Sequence, residues 1–324
     1  MPTDSPKEKK KKRTISISSS AFNEEGNIDS YYERIVSVFN GLPGYDFEIV
    51  IADNNSTDDT ELKLRKIAAS DKRFKVILNS NNFGQLRSPV NALLACSGDA
   101  VISLPSDLQI PPEIIPELVK KWEEGYDVVY TVYAGSKEGL FTTLGRKFYY
   151  FLMKKFSETT HISNFTGSGL YDRKFVEALR KYKEPYPYLR GLVGEIGFKQ
   201  ASVTCKKEKR VSGKTKNNFY TLYDLAITGL LYHSKVPMRI SLFIGWTIAF
   251  LSIMCAFGYL IAKLVFWDKF LLGTAPLIIG MFFLGAIQLI SVGIVGEYAI
   301  AILTQTKNKP LVIERERINF GSED

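Results

Sequence analysis

The sequence predicts an α/β domain built on a mostly parallel sheet, followed by two apolar helices. Three observations predict it: β-branched runs that end in polar or acidic residues, helical periodicity between those runs, and a loss of charged residues near position 240. TISISSSAF (Thr14–Phe22), bounded by polar residues, is the first predicted strand. Helical periodicity follows over Ile28–Phe39. DFEIVIAD (Asp46–Asp53) is a continuous apolar run ending in an acid, the pattern of a strand buried on both faces. STDDT then predicts a helix start, with Ser56 as N-cap and Asp58 and Asp59 in the first turn, where carboxylates meet the positive end of the helix dipole. FKVILNS (Phe74–Ser80) is the third strand, SPVNALLACS (Ser88–Ser97) a helix, and DAVISLPSD (Asp99–Asp107) the fourth strand. Strands alternating with helices give a parallel sheet covered on both faces, and such sheets bind ligands beyond the carboxyl ends of their strands. Asp53 and Asp107 both stand at predicted strand ends.

Composition narrows the function. Net charge is +8 and the pI near 9.1, but the positive charge sits in two clusters, Lys7–Arg13 and Lys206–Lys216. Neither is interleaved with aromatics on a repeating period and no nucleic-acid motif is present, so no nucleic-acid partner is expected. Cys96, Cys205 and Cys255 have the spacing of neither a disulfide framework nor a zinc site, which points to a reducing compartment. His161 and His233 are too few for a metal site built on histidine.

Ile240–Ala262 and Phe270–Gly296 carry no formal charge, and each exceeds the roughly 20 residues a helix needs to cross a bilayer core. Neither has a polar face, which argues against buried core helices. They predict a transmembrane hairpin spanning 240–303, joined by Lys263–Lys269, with both chain ends on one side. Lys235, Arg239, Lys307, Lys309, Arg315 and Arg317 flank that side and predict it to be cytoplasmic. No signal-peptide pattern is expected near the N-terminus. The predicted organisation is a basic tail (1–13) suited to anionic lipid, a cytoplasmic domain (14–235), the hairpin, and a cytoplasmic tail (304–324). That makes an integral membrane protein, in the inner or plasma membrane if bacterial. LFTTLGRKFYYFLMKKF (Leu140–Phe156) and the amphipathic Phe219–Tyr232 predict interfacial helices against membrane lipid.

LPSDLQIPPE (Leu104–Glu113) places Asp107 two positions before Gln109, a carboxylate and an amide suited to a hard cation, while Pro105 can ligate nothing with its side chain. Taken singly, Asp53 and Asp107 read equally well as turn residues. Paired at strand ends upstream of a basic cluster, they favour a nucleotide-diphosphate pocket.

SSAFNEEGNI (Ser19–Ile28), ADNNSTDDT (Ala52–Thr60), NNFG (Asn81–Gly84), SGDAVISLPSDLQIPPE (Ser97–Glu113) and KRVSGKTKNNFYTLYDLA (Lys209–Ala226) resemble, in order and spacing, the motifs of family 2 glycosyltransferases. More narrowly the chain resembles the polyprenyl-phosphate glycosyltransferases, which include dolichyl-phosphate mannose synthase and the bactoprenol glucosyltransferases. VGEYAIAILTQTKNKP (Val295–Pro310) is similar to the bacterial membrane-hairpin branch. The resemblance implies a GT-A fold, a UDP-glucose-like or GDP-mannose-like donor, Mg²⁺ or Mn²⁺, a polyprenyl phosphate acceptor and a homo-oligomer such as a tetramer. It implies that Ala21, Phe22, Glu24 and Ser106 line the nucleotide-sugar pocket, that Asp53 meets the base, and that Asp107 with Gln109 holds the metal. Arg210 and Lys216 fall on the family's basic loop and would contact phosphates; Arg190 would pair with Glu195 or meet the acceptor phosphate.

Four departures stand against the family pattern. The acid-acid-Gly-Ser turn is Asp53–Asn54–Asn55–Ser56 here, and the first acid of the D-x-D-L-Q motif is Pro105. An arginine after the next strand gives way to Tyr133, with Lys137 as a substitute, and a carboxylate in a G-D-F-type segment gives way to Gly167. A phosphate acceptor is already an ionised nucleophile, so a general base is dispensable; if one is needed, Glu195 is the candidate. Three functions follow: an inverting transferase onto polyprenyl phosphate, a transferase onto a hydroxyl of a lipid-linked or polysaccharide acceptor, and a non-catalytic scaffold.

Overall fold

The computed structural model describes residues 12–134, 165–208, 236–266, 274–307 and 309–321. They divide into two compact units, one holding the sheet and the residues after 308, the other holding the long helices. The predicted interfacial helices, Arg210, Lys216, Lys137 and residues 7–11 of the N-terminal basic run lie outside the described residues, whereas Arg13, expected in the tail, begins the first strand.

The first unit opens with β1 (Arg13–Ala21), α1 (Ile28–Asn40), β2 (Tyr45–Asp53), α2 (Thr60–Ser70), β3 (Phe74–Asn79), α3 (Gly84–Leu94) and β4 (Ala100–Ser103). A 3₁₀ turn (Pro112–Ile114), α4 (Ile115–Glu123), β5 (Val128–Tyr133), β6 (Phe165–Asp172), α5 (Arg173–Lys181), α6 (Leu189–Ile196) and β7 (Gln200–Cys205) follow, and β8 (Glu314–Ile318) ends the chain's regular structure. The sheet runs β7-β5-β6-β4-β1-β2-β3-β8. β1, β2, β3 and β4 are mutually parallel, β6 is antiparallel to β4 and β5, and β8 is antiparallel to β3.

Strand periodicity divides the core in two. Ile15, Ile17, Ile49, Ile51, Val76 and Leu78 point to the face covered by Ile28, Tyr31 and Ile35 of α1, Leu64 of α2 and Leu118 of α4. Val50, Ala52 and Ile77 point the other way, toward Val90 and Leu93 of α3, Phe175 of α5 and Leu192 of α6. On that second face β1 presents serine instead of an aliphatic side chain. Ser16 donates to Glu48 Oε1 at 2.6 Å and accepts from Gly98 N–H at 2.8 Å. Glu48 is itself buried and paired with Lys75 at 2.8 Å, so the buried charge is compensated.

The structure corrects several sequence expectations. β4 stops at Ser103 rather than Asp107, because the chain turns at Pro105 and Asp107 lies in the loop beyond. α3 begins at Gly84 rather than Ser88 and contains Pro89. α2 begins at Thr60 after Asp59, so Ser56 is not its cap. The C-terminal segment is not only a tail: β8 forms the edge of the sheet, held by Arg65–Glu316 and Arg315–Glu61 ion pairs and by Asn319, whose Nδ2 donates to the carbonyls of Ala68 and Phe74.

The second unit contains α7 (Val236–Val265) and α8 (Thr274–Thr306). Eight residues separate them, a reach of at most about 30 Å, against a rise of roughly 45 Å for the 30 residues of α7. The helices therefore run antiparallel, and Ser241 Oγ donates to Ser291 Oγ at 3.0 Å. Leu242, Phe243, Trp246, Met281, Leu289 and Val292 are all exposed. Among the described residues one segment, Phe283–Thr306, is long and apolar enough to cross a membrane by length and composition, with mean hydropathy 1.9.

Candidate active site

Strand register gathers the chemistry at one edge of the sheet. Ala21 at the end of β1 stands opposite Asp53 at the end of β2. Ser103 at the end of β4 stands opposite Ser18 of β1 and Gly169 of β6. Since β6 runs antiparallel, its first residues, Phe165–Gly167, lie on that same edge, where Phe165 faces Val132 of β5 and Tyr133 faces Cys205 of β7. The chain order reverses between β1, which leads to β2, and β4, which lies on the other side of β1. Ligands of open α/β sheets bind in the crevice at such a reversal.

Two loops form one side of the crevice. Residues 22–27 and 54–60 are knitted together: Asn23 N–H donates to Ser56 Oγ (2.9 Å), Thr57 N–H to Asn23 Oδ1 (2.8 Å), and Glu24 N–H to Thr60 Oγ1 (2.8 Å). Asn23 and Asn55 have φ of 54° and 62°, left-handed conformations that asparagine tolerates better than most residues. Asn55 thus takes up the left-handed conformation the turn requires without a glycine. Ala21 is buried, while Phe22 and Glu24 are half-buried at the rim, and the Glu24 carboxylate accepts from Asn27 Nδ2. Asp53 is 0 % exposed. Its carboxylate accepts from Ser56 N–H at 3.1 Å and from Ser56 Oγ, and burial pushes its pKa up despite those bonds. These bonds from Ser56 make Asp53 a brace of the turn.

Asn54 was missed by sequence reasoning and explains the second departure in that turn. Its Oδ1 accepts from Phe83 N–H (2.9 Å) and Asn79 Nδ2 (3.2 Å), and its Nδ2 donates to Asn82 Oδ1 (2.9 Å). The amide both donates and accepts, which a carboxylate cannot do. The recurrence of asparagine at 54, 79, 81 and 82 was the available signal.

Across the crevice lies the loop after β4. Half-buried positions 105, 107 and 109 alternate with buried 104, 106, 108 and 110, so Asp107 and Gln109 share the accessible side. Leu108 is fully buried at φ 57°, a conformation that costs a leucine on the order of 1–2 kcal/mol and persists only when its surroundings enforce it. Ser106 Oγ donates to the Ser20 carbonyl (2.9 Å), and Gln109 N–H donates to Asp107 Oδ1 (3.1 Å). Ser106 thus ties this loop to β1 and turns its own hydroxyl inward, while Asp107 is held at the rim. Asp107 and the Gln109 amide are hard oxygen donors, a set that fits Mg²⁺ or Mn²⁺ as part of a shell. Among the described residues no group of three or more His, Cys, Asp or Glu could hold a metal ion unaided.

The far end of the crevice carries Tyr133, Gly167 and Arg190. Burial, with Asp107 among the nearby negative charges, pushes the Tyr133 hydroxyl up to about 12, and Arg190 acts in the opposite sense. Asp107 and Arg190 therefore both act on Tyr133. Arg190 Nη2 donates to the Thr166 carbonyl at 2.8 Å. Glu195 is exposed near the end of α6 and acts on Glu184, in the α5–α6 loop, whose Oε2 is buried without a hydrogen-bond partner among the described residues. Burial, then the charge of Glu195, pushes Glu184 up to about 7. Folding consequently takes up a proton between about 4.5 and 7, so Glu184 costs increasing stability as pH rises through that window and a level amount above it. Glu184→Gln removes the cost. The melting-temperature gap between variant and wild type widens from pH 5 to pH 8; a gap independent of pH contradicts this assignment.

Residues 16–180 match the sequence profile of Glycosyl transferase family 2. An uncharacterized glycosyltransferase of Synechocystis sp. is 32% identical over 92% of this chain and 94% of its own length. The SfII prophage-derived bactoprenol glucosyl transferase of Shigella flexneri is 32% identical over 92% of this chain and 96% of its own. The crystal structure of glucosyl-3-phosphoglycerate synthase from Mycobacterium tuberculosis covers 66% of this chain and 75% of that one, at 25% identity and a TM-score of 0.49, too slight an overlap to argue from. The matched segment runs from Ser16 of β1 through β6, and with it Asp53, Asp107 and Gly167. This chain belongs to glycosyl transferase family 2.

Proposed function

We propose that the protein moves a sugar from a nucleotide-diphosphate donor to a polyprenyl phosphate at a membrane surface, with inversion at the sugar carbon. The observation that carries the reading is the lean acidity of the crevice: Asp107 stands at its rim, Asp53 is buried, and Gly167 stands where a family carboxylate is usual. A site with little basic capacity suits an acceptor that arrives already ionised. The relatives named bactoprenol glucosyl transferase, aligned over 92–94% of the chain, support the same acceptor.

Ala21, Phe22, Glu24 and Ser106 line or brace the donor side of the crevice. Asp107 and Gln109 would hold Mg²⁺ or Mn²⁺, with donor phosphates completing the shell. Such an ion supplies positive charge to the departing diphosphate, help commonly worth several kcal/mol. Arg190 faces the acceptor phosphate, and Arg210 and Lys216, outside the described residues, contribute cations to the phosphates.

Membrane attachment follows from the second unit. The chain leaves the sheet after β7, passes through α7 and α8, and returns to the same sheet as β8. If the two helices cross a bilayer, they do so as a hairpin with both flanks on one side, and their exposed apolar side chains are covered by lipid or by further copies of the chain. The basic residues of those flanks make that side cytoplasmic.

The test is incubation of purified protein with polyprenyl phosphate, Mg²⁺ or Mn²⁺ and a panel of nucleotide sugars, followed by mass analysis of the lipid. A lipid heavier by one sugar phosphodiester-linked to the prenyl chain supports the reading; unchanged lipid with every donor refutes it. Glu195→Gln separates phosphate from hydroxyl acceptors. Transfer to phosphate survives with less than about tenfold loss, whereas a required general base costs about 10²–10⁴-fold.

A further inference from the structure

The bare backbone at position 167 has a physical consequence for Arg190. Gly167 has φ +91°, and a Cβ built there would stand 3.2 Å from Arg190 Nε and 3.7 Å from Nη2. The guanidinium therefore lies across the start of β6, in the space a side chain at 167 would enter. Thr166 O holds it from below at 2.8 Å. Thr166 is fixed in turn by the Thr131 hydroxyl, which also donates to Ser168 O at 3.0 Å. Arginine carries five N–H donors; among the described residues the one hydrogen bond from Arg190 is to Thr166, which leaves donors for a ligand. A half-buried cation thus sits on the crevice edge near Tyr133, on which the charge of Asp107 also acts.

We infer that Gly167 and Arg190 act as one specificity device: the absent side chain makes room for the guanidinium, which seats the anionic oxygens of the acceptor and excludes a neutral hydroxyl acceptor. The device rests on the reading of the acceptor as a phosphate and deepens it. Where a carboxylate at 167 would draw a proton from a hydroxyl, this chain has a cation, which draws in an oxyanion and leaves a hydroxyl unactivated. Fork geometry lets one arginine hold both Thr166 O and a phosphate oxygen, which a lysine ammonium does less well.

The test uses the full-length protein with polyprenyl phosphate as acceptor. Arg190→Ala raises the acceptor KM about 10–100-fold, the worth of a hydrogen bond to a charged group, and leaves donor affinity within about twofold. Added guanidinium lowers the raised KM, and Arg190→Lys falls between wild type and alanine. Gly167→Ala, which displaces the arginine, raises the acceptor KM in the same sense and adds nothing to Arg190→Ala in the double variant. If Gly167→Ala does not fold, the arginine variants decide alone. An unchanged acceptor KM in Arg190→Ala, or equal losses toward donor and acceptor, overturns the device. Failure of the wild type to modify polyprenyl phosphate overturns instead the reading on which it rests.

Discussion

Asp107→Asn lowers the rate of sugar transfer by about 10²–10³-fold while the protein stays folded, the loss expected when several kcal/mol of charge stabilisation is withdrawn from a departing diphosphate. The variant is chosen for what it preserves. Asparagine keeps an Oδ1 acceptor for the Gln109 N–H, so the turn of residues 107–109 survives. Leu108, buried at φ 57°, and Ser106, bonded to Ser20 O, continue to hold the loop against β1. The negative charge at the rim is lost. Because Asp53 is buried and bonded to Ser56, no neighbouring carboxylate at the end of β2 is placed to substitute. Steady-state rates, with a melting curve to establish folding, check the expectation. A variant within threefold of wild type, roughly 0.7 kcal/mol, would remove Asp107 from the reaction.

Deletion of residues 310–324 lowers the melting temperature by about 10 °C or abolishes folding. β8 covers the outer edge of β3, so its removal leaves that strand's N–H and C=O groups without partners. Buried Val312 and the packing of Ile318 and Phe320 against the two core faces go with it. The Arg65–Glu316 and Arg315–Glu61 pairs are exposed and contribute about 1 kcal/mol or less each. The apolar contacts and the Asn319 hydrogen bonds to the Ala68 and Phe74 carbonyls carry more. A total of about 3–5 kcal/mol corresponds to roughly 6–20 °C for a domain of this size. Thermal melts of the purified full-length and truncated proteins decide it, and coincident curves would contradict an integral role for β8.

The central strands were legible because each carries its own signal. β1, β2 and β3 alternate or run continuously apolar, and the acid ending β2 marks the carboxyl edge. The site was legible at the level of loops: the register brings Ala21, Asp53, Ser103, Tyr133 and Gly167 to one edge, as alternating strands and helices require. Three features were hidden. β8 reads ERERI, with no apolar face, and its pairing with β3 spans more than two hundred residues of chain, so no local pattern announces it. Asn54 reads as a lost acid, because its value lies in donating and accepting toward residues 79–83, which only tertiary structure reveals. The relation of Gly167 to Arg190 depends on a φ angle and an approach across 23 positions of sequence. Asp53 is the instructive reverse: its place at a strand end was read correctly, whereas its burial, and hence its commitment to Ser56, was not readable from spacing.

The most direct test is equilibrium binding of a nucleoside diphosphate to wild type and Asp107→Asn, with and without Mg²⁺ or Mn²⁺. The account predicts that the ion tightens binding to the wild type at least about tenfold, some 1.4 kcal/mol, and that the tightening vanishes in the variant. Equal affinity in all four conditions would contradict it.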